Sequence, residues 1–533
     1  METLVIAPIL IALVSIVLTL VTGPWPRFQR AVSVAGTLVY TVAVGVLDWF
    51  VVLAPTAPGA AAYQVGGWTA PFGITLVADG LSAFMLTIVA VVGTYSITFS
   101  VCYMDRETQR VYYHPLFHFL LLGATGAFLT GDLFNLFIWF EVMLMASYGF
   151  VAFYGDAEHT AAGMRYVVLN LIGSVLMLLG IGGLYATLGT LNMADMAQKL
   201  ADPSAGIDVA PVLGLSMLVF VPFALKAGLV PFQFWVPSAY RAAPLPITAM
   251  LAGAMKKVGM YAIVRFYFTV FAGTTLSVSA PGISGNSPLT YVAPVLLTVG
   301  CLSILVGGLG AISRDTLEGL LAYSSIGQVG FIAVPIGIAA ATSTGSIQHL
   351  GILAGLTYAL HHALTKSMLF LSTAVIRDGT GTTRLAKLGG LGARSPVFAG
   401  AFFVGSLSLI GVPPLVGFFG KFLAFETVIV WLASLPTPSA ALVLLVLLSG
   451  AVLTLVYSTR AWMGSFWGHR TAAVETATLD RRQVALVATL AILVIAVGVG
   501  FEPVYQFVDA AATAALDTEG YVDVVELSGG ETA

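Results

Sequence analysis

Fourteen times along this chain, stretches of about twenty residues pass with little or no charge. A stretch of that length is what an α-helix needs to cross the roughly 30 Å hydrocarbon core of a bilayer. Only a helix or a closed barrel satisfies its own backbone hydrogen bonds there. The spans are read at residues 4–22, 32–53, 80–102, 114–131, 133–154, 163–188, 211–240, 244–271, 290–312, 317–340, 347–376, 396–432, 440–464 and 484–504, of which 211–240 and 396–432 are broken. Charged residues make up 9% of the chain, against about 25% in soluble domains. The fold class is therefore an all-α polytopic membrane protein with about 14 transmembrane helices.

The first span follows one acidic residue, Glu2, and no basic one, which marks it as a membrane helix and not a cleaved signal peptide. Between the second and third spans, Pro55 and Pro58 precede an alternating run around Phe72 to Val77, predicting a short strand or hairpin outside the membrane. Arg27, Arg30, Arg106, Arg110, Arg165, Arg241, Arg314, Arg377, Arg384, Lys387, Arg394, Arg460, Arg470, Arg481 and Arg482 all fall at odd-numbered connections, and Lys199 alone at an even one. By the positive-inside rule the odd connections are cytoplasmic and both termini lie outside. The segment from Asp509, with Asp517, Glu519, Asp523, Glu526 and Glu531, reads as a mobile or partner-bound acidic tail.

Within this apolar frame the charges are the informative residues. Of seven lysines, five lie in spans: Lys226, Lys256, Lys257, Lys366 and Lys421. An ammonium at mid-membrane costs at least about 2.5–3.5 kcal/mol, so it stays where it meets water, a partner charge or a freed carbonyl. Lys256 is near enough to a span end to snorkel, whereas Lys226, Lys257 and Lys366 are not. Lys226 stands in LVFVPFALKAGLVPFQFWVPSAY, interrupted by Pro222, Gly228, Pro231 and Pro237, and each proline leaves a carbonyl four residues earlier unpaired. Lys421 follows Pro413 and Pro414 in GVPPLVGFFGKF. Two interrupted helices, one in each half, point to an inverted repeat and a transport site near the midplane.

Glu141, in GDLFNLFIWFEVMLMASY, is the carboxylate set deep in a span of the first half, and its natural partner is Lys226. At about 4 Å and an effective dielectric near 20 their attraction is about 4 kcal/mol. Contact then holds the lysine charged, and separation lets burial draw its proton off; a static pair that fixes helix packing is the competing reading. His362 and Lys366 share a helical face at i and i+4 in LHHALTKSMLFL, a spacing that suits a proton relay. His361, on a neighbouring face, reads equally as a packing residue. Ser324, Ser325 and Gln328 in LAYSSIGQVGF form a polar stripe that either orders water or bonds helix to helix. Cys102 and Cys301 both sit in apolar stretches, no nucleotide fingerprint or zinc spacing occurs in a usable context, and no cofactor or metal is expected.

The wording GDLFNLFIWFEV, LAGAMKKVGMYAIVR, LAYSSIGQVGF, HHALTKSMLFL and GVPPLVGFFGKF resembles the antiporter-like subunits shared by complex I and the Mrp-type multisubunit cation/proton antiporters, and among the latter it is most similar to the Mrp D subunit. The resemblance covers nearly the whole chain. It implies two inverted five-helix repeats, each with a broken helix: N-terminal helices in 1–110, a first repeat in 111–272, a second in 289–465, a last helix in 466–505 and an acidic tail in 506–533. It further implies a buried axis of Glu141, Lys226, Lys257, His362, Lys366 and Lys421. Gln233 and Tyr240 stand where many relatives carry histidine, and Glu318-Gly319 replaces a basic pair, which weakens the basic contact expected there. No carboxylate in the second half takes the place of Glu141; Glu426 is the nearest acid.

The reading that follows is a proton-conducting subunit of a monovalent cation (Na⁺)/proton antiporter in a prokaryotic plasma membrane, not an enzyme. Its expected partners are other hydrophobic subunits, lipid, protons and Na⁺, with no nucleic acid. The alternative is a proton-pumping membrane subunit of a complex I-like or hydrogenase-like redox complex.

Overall fold

The computed structural model describes residues 2–105, 109, 112–153, 157–276 and 286–525. Arg106, Arg110 and residues 526–533 of the expected tail lie outside the described residues.

Each expected span is helical. The first three are α1 (Glu2–Val21), α2 (Pro26–Asp48), which runs on into a π-helical turn at Trp49–Leu53, and α3 (Gly80–Tyr103). Asp79 starts α3 through a capping box, accepting from the Ser82 N–H at 2.9 Å while its own N–H reaches Ser82 Oγ at 2.8 Å. Then come α4 (Tyr113–Leu129), α5 (Leu133–Phe153), α6 (Ala157–Leu188), a short α7 (Met193–Ala201) and α8 (Val209–Ala227). The chain breaks after α8, resumes as α9 (Trp235–Ala242), and makes α10 (Leu245–Met250), a π-helical turn at Leu251–Met255 and α11 (Lys256–Val270). The second half holds α12 (Leu289–Ile312), α13 (Leu317–Ala341), α14 (Gly345–Thr380), the broken pair α15 (Pro396–Ile410) and α16 (Val416–Ser434), α17 (Pro438–Phe466) and α18 (Arg481–Val499). Among the described residues twelve helical segments are long and apolar enough to cross a membrane. The two expected spans outside that set are α4, at 17 residues, and α14.

Burial grades inward. Every residue from Leu245 to Val270 is buried, as are nearly all of α13 and the middle of α14, while α1, α2, α6 and α17 show large apolar side chains on their outer faces. Glycines set the closest contact: a Cβ on Gly307 of α12 would run into the Gly327 backbone of α13, and one on Gly330 would lie 2.5 Å from the Gly300 carbonyl.

The connections sort onto two faces. On one, Arg30 Nη2 donates to Met104 O at 2.9 Å, Arg460 pairs with Asp315 at 3.1 Å, Arg394 donates to Ala477 O, and the Gly390 N–H meets Trp467 O at 2.9 Å. These are odd-numbered connections, so the basic residues share a face as their spacing predicts. The opposite face carries the expected hairpin, β1 (Ala60–Gln64) against antiparallel β2 (Thr75–Asp79), with Lys199 paired to Asp195 at 3.1 Å.

The acidic tail departs from expectation. From Phe501 the chain forms α19 (Phe501–Leu516) and α20 (Thr518–Val525), which cross the hairpin face and bury Val508, Ala511, Tyr521 and Val525. Its described acids, Asp509, Asp517, Glu519 and Asp523, lie away from the buried stripe of amphipathic helices, so of the mobile or partner-bound reading the first part is corrected for residues 509–525: charge content hid a segment with its own apolar stripe. Below it, Arg265 Nη2 donates to both oxygens of Asp79 at 2.6 and 2.7 Å, its Nε donates to Tyr261 OH at 3.3 Å, and it stands 4.7 Å beneath the Tyr521 ring. Arg265→Ala strands a buried carboxylate and should cost about 3–5 kcal/mol, whereas Tyr521→Leu removes a cation–π contact of about 0.5–2 kcal/mol. Thermal melts of purified protein should show a large fall in Tm for the first and a small one for the second.

Candidate functional site

Lys226 occupies the last turn of α8, which ends because Gly228 takes a left-handed conformation (φ 72°) and Pro231 follows. The released groups find partners at once: Leu229 N–H donates to Ala224 O at 3.0 Å, Trp235 Nε1 to Leu225 O at 2.8 Å, and Val230 N–H to Ser303 Oγ of α12 at 2.9 Å. The Lys226 ammonium, on a side chain 1% exposed, has no hydrogen-bond partner and faces a cavity of about 10 Å³ lined by Glu141, Asn170 and Ser174, near the lower limit for one water. Glu141 instead accepts a short hydrogen bond from Ser174 Oγ of α6. The expected close pair is therefore corrected to two groups facing each other across a gap, because α6 claims the carboxylate.

Lys256 and Lys257 follow the π-helical turn, which leaves Ala252 O to accept from Lys257 Nζ at 2.8 Å. The same ammonium lies 2.5 Å from His362 Nδ1 on α14. Gly253 permits this approach, since a Cβ there would strike Ser367 Oγ. Lys256 does not snorkel. It is 1% exposed, donates to Ser325 O at 3.3 Å, and its Nζ comes so near the break that a Cβ on Gly228 would lie 2.9 Å away.

The stripe on α13 divides its work. Ser324 Oγ accepts from Lys366 Nζ at 2.7 Å, with Leu321 O accepting from the same ammonium at 3.1 Å. The Ser325 hydroxyl turns back to Leu321 O at 2.9 Å, and only its carbonyl serves Lys256. Gln328 bonds Tyr457 of α17 at 2.8 Å and accepts from Tyr358 of α14 at 2.6 Å, so it joins helices. His361 is half engaged: its Nδ1 lies 3.2 Å from Thr365 Oγ1 and 3.3 Å from Ser408 Oγ, while Nε2 is buried without a partner. At the second break Lys421 Nζ donates to Ile410 O at 2.7 Å, capping the end of α15, and stands 5.7 Å over Phe331.

Sequence reasoning undervalued Lys256, since distance from a span end says nothing of a neighbouring helix packed over it. It also read Glu318 as a lost basic contact, whereas Glu318 is buried and ion-paired with Arg377 from the end of α14, at the rim of a cavity of about 400 Å³ shared with Arg165 and Arg241. Gln233 Oε1 and Tyr240 OH are buried without partners. Among the described residues no group of three or more His, Cys, Asp or Glu could hold a metal ion.

Buried cations threaded between two broken helices define a polytopic membrane transport protein. Residues 130–454 match the family model described as NADH:quinone oxidoreductase/Mrp antiporter, TM, and residues 63–113 match the N-terminal model of complex I chain 5. The chain is 33% identical to the D subunit of the Na(+)/H(+) antiporter of Alkalihalophilus pseudofirmus, covering 98% of this chain and 99% of the relative, and 32% identical to that of Bacillus subtilis at the same coverage. Its structure matches a chain of the Mrp complex from Dietzia sp. with a TM-score of 0.83 at 26% identity, and one of an archaeal membrane-bound sulfane sulfur reductase with 0.84 at 27%, each over 98% of this chain and 100% of the other. The chain belongs to the NADH:quinone oxidoreductase/Mrp antiporter family of membrane proteins. It is a transporter subunit.

The unequal serines make a test. Ser324→Ala removes the hydrogen bond from Lys366 Nζ, worth about 1.5–3 kcal/mol if the amine is charged, and should lower the Tm of the purified protein. Ser325→Ala, whose hydroxyl serves its own helix, should leave the Tm nearly unchanged.

Proposed function

We propose that this chain conducts protons along Glu141, Lys226, Lys257, His362, Lys366 and Lys421, with Lys256 added, as part of a monovalent cation (Na⁺)/proton antiporter of the prokaryotic plasma membrane. Its basic face is cytoplasmic and both termini lie outside. The observation that carries this reading is that cation-capable side chains recur from break to break, with Lys256, Lys257, Lys366 and Lys421 each bonded to a group on another helix. The 33% identity to the D subunit of a Na(+)/H(+) antiporter supports the choice of exchanged ion.

The geometry suits stepwise transfer. Two charges about 4 Å apart at an effective dielectric near 20 repel by about 4 kcal/mol, so a proton arriving on one amine favours release from the next. Lys257 and His362, 2.5 Å apart, hold one proton between two nitrogens. Lys226, unbonded and across a small cavity from Glu141, is the member whose charge depends on where that carboxylate points. Ser174 keeps the carboxylate turned toward α6, and its release toward Lys226 is the step that loads the amine. The likeness to the sulfane sulfur reductase chain favours a second reading, in which the same axis is driven by a redox module.

Glu141→Gln and Lys226→Ala should each abolish exchange in everted vesicles while the complex still assembles. Normal exchange by an assembled Lys226→Ala complex would sink the proposal. Mass spectrometry of the complex pulled down in mild detergent separates the two readings: small hydrophobic partners alone mean an antiporter, and iron–sulfur or flavin subunits mean a redox pump.

A further inference from the structure

Among the buried titratable groups that the lysine axis leaves unused are Asp48 on α2 and His114 and His118 on α4, exposed by 4, 0 and 1%. Ionisable side chains are expensive inside a membrane bundle and tend to stand where protons or ions pass. These three line one seam. Helices α2 and α4 run parallel and in register, with Ser33 Oγ 3.0 Å from His118 Nε2 and, seven residues on, Tyr40 OH 2.7 Å from Thr125 Oγ1. Helix α3 runs antiparallel against the neighbouring face of α2, where Thr41 Oγ1 is 2.8 Å from Thr94 Oγ1 and Thr87 Oγ1 donates to Asp48 at 2.5 Å. From Arg30 to Asp48 the seam rises about 27 Å, nearly the roughly 30 Å of a hydrocarbon core.

Its two ends differ. On the basic face Arg30 bonds Gln109 and Met104 O, Gln109 Nε2 donates to Ser100 O at 3.0 Å, and Ser100 Oγ lies 2.7 Å from Tyr113 OH. The next residue of α4, His114, buries both ring nitrogens without a protein partner, and His118 follows one turn later. Gly36 admits the second ring: a Cβ there would strike Ser15 Oγ and lie 3.5 Å from His118 Cε1. At the far end Asp48 keeps one carboxylate oxygen unpartnered where α2 passes into its π-helical turn. Between Thr41 and Asp48 the buried α2 residues are Val44 and Leu47, an apolar interval of about 10 Å.

We propose that this seam is a second proton-carrying element, separate from the lysine axis. His114 and His118 take protons from the basic face, Asp48 holds one at the far end, and the interval at Val44 and Leu47 keeps the ends from equilibrating freely. Each step moves a proton between heavy atoms: an imidazole takes one at one nitrogen and gives one from the other, hydroxyls accept and donate together, and the carboxylate ends protonated. Arg30 at the histidine end and Asp48 at the other are the charged groups facing the seam; α1 contributes Ser15, and α3 contributes threonines and serines.

The test uses the full complex in vesicles. Asp48→Asn and His118→Asn should each lower exchange about tenfold or more, with subunit content unchanged and Asp48→Glu keeping most of the activity, which a packing role would not restore. A second measurement needs no variant. Dicyclohexylcarbodiimide modifies protonated carboxyls in apolar surroundings, and peptide mass spectrometry of the treated complex should show an adduct on Asp48 that fades as pH rises. Unchanged exchange in assembled Asp48→Asn and His118→Asn complexes overturns the proposal, as does an Asp48 left unmodified at every pH. Glu141→Gln measured alongside keeps the outcomes apart, since loss there with retention in Asp48→Asn removes the seam and leaves the axis standing.

Discussion

A buried ammonium must be met by oxygen, and in a helical membrane protein almost every oxygen is already committed to the helix that carries it. Four of the five buried lysines meet that demand with a main-chain carbonyl: Ser325 for Lys256, Ala252 for Lys257, Leu321 for Lys366 and Ile410 for Lys421. The irregular backbone follows from this demand. The π-helical turn before Lys257 and the end of α15 beside Lys421 are where carbonyls come free, and each lies against the cation that uses it. Lys226 stands apart, because Trp235, Ser303 and local turns have absorbed the groups released at its own break. Its charge is left to Glu141 and to whatever occupies the small cavity between them, and it is thereby the most responsive member of the set.

Close helix packing serves the same end. Lys257 reaches His362 because Gly253 lets α14 come near, and α12 and α13 touch backbone to backbone through Gly307 and Gly330. With the central helices held so tightly, rotation of Glu141 or refilling of a cavity is cheaper than any sliding of helices. The side-chain relay proposed for the lysine axis fits that mechanical setting better than a rocking bundle does.

Much of this was legible in the residues. Apolar length marked stretches that are helical, twelve of them long and apolar enough to cross a membrane among the described residues, arginine spacing sorted the connections onto faces, and proline clusters marked both breaks, since each signal acts within one helix. What escaped depends on neighbours. Lys256 looked peripheral by its distance from a span end, yet α13 and the α8 break close over it. Glu318 looked like a missing base until Arg377 appeared beside it from 59 residues away. Asp48, His114 and His118 drew no notice because Asp48 stands alone in its run and the two histidines, one turn apart, share theirs with no acid, and only the register of α2 with α3 and α4 gathers them. The tail was misjudged for its charge count, when its buried alanines and Tyr521 carried the structural information.

Those last helices bear on how the protein is made. Gln64 of the hairpin donates to Val525 O, Thr518 reaches Phe268 O, and Tyr521 covers Arg265, so the hairpin face of the first half is finished by residues synthesised after the second half. During translation the Arg265–Asp79 pair waits with one side uncovered until more than two hundred further residues have been inserted. A nascent chain stalled before residue 500 would display that unfinished face, and the cell's membrane quality control would have a marker of incompletion on the half that folded first.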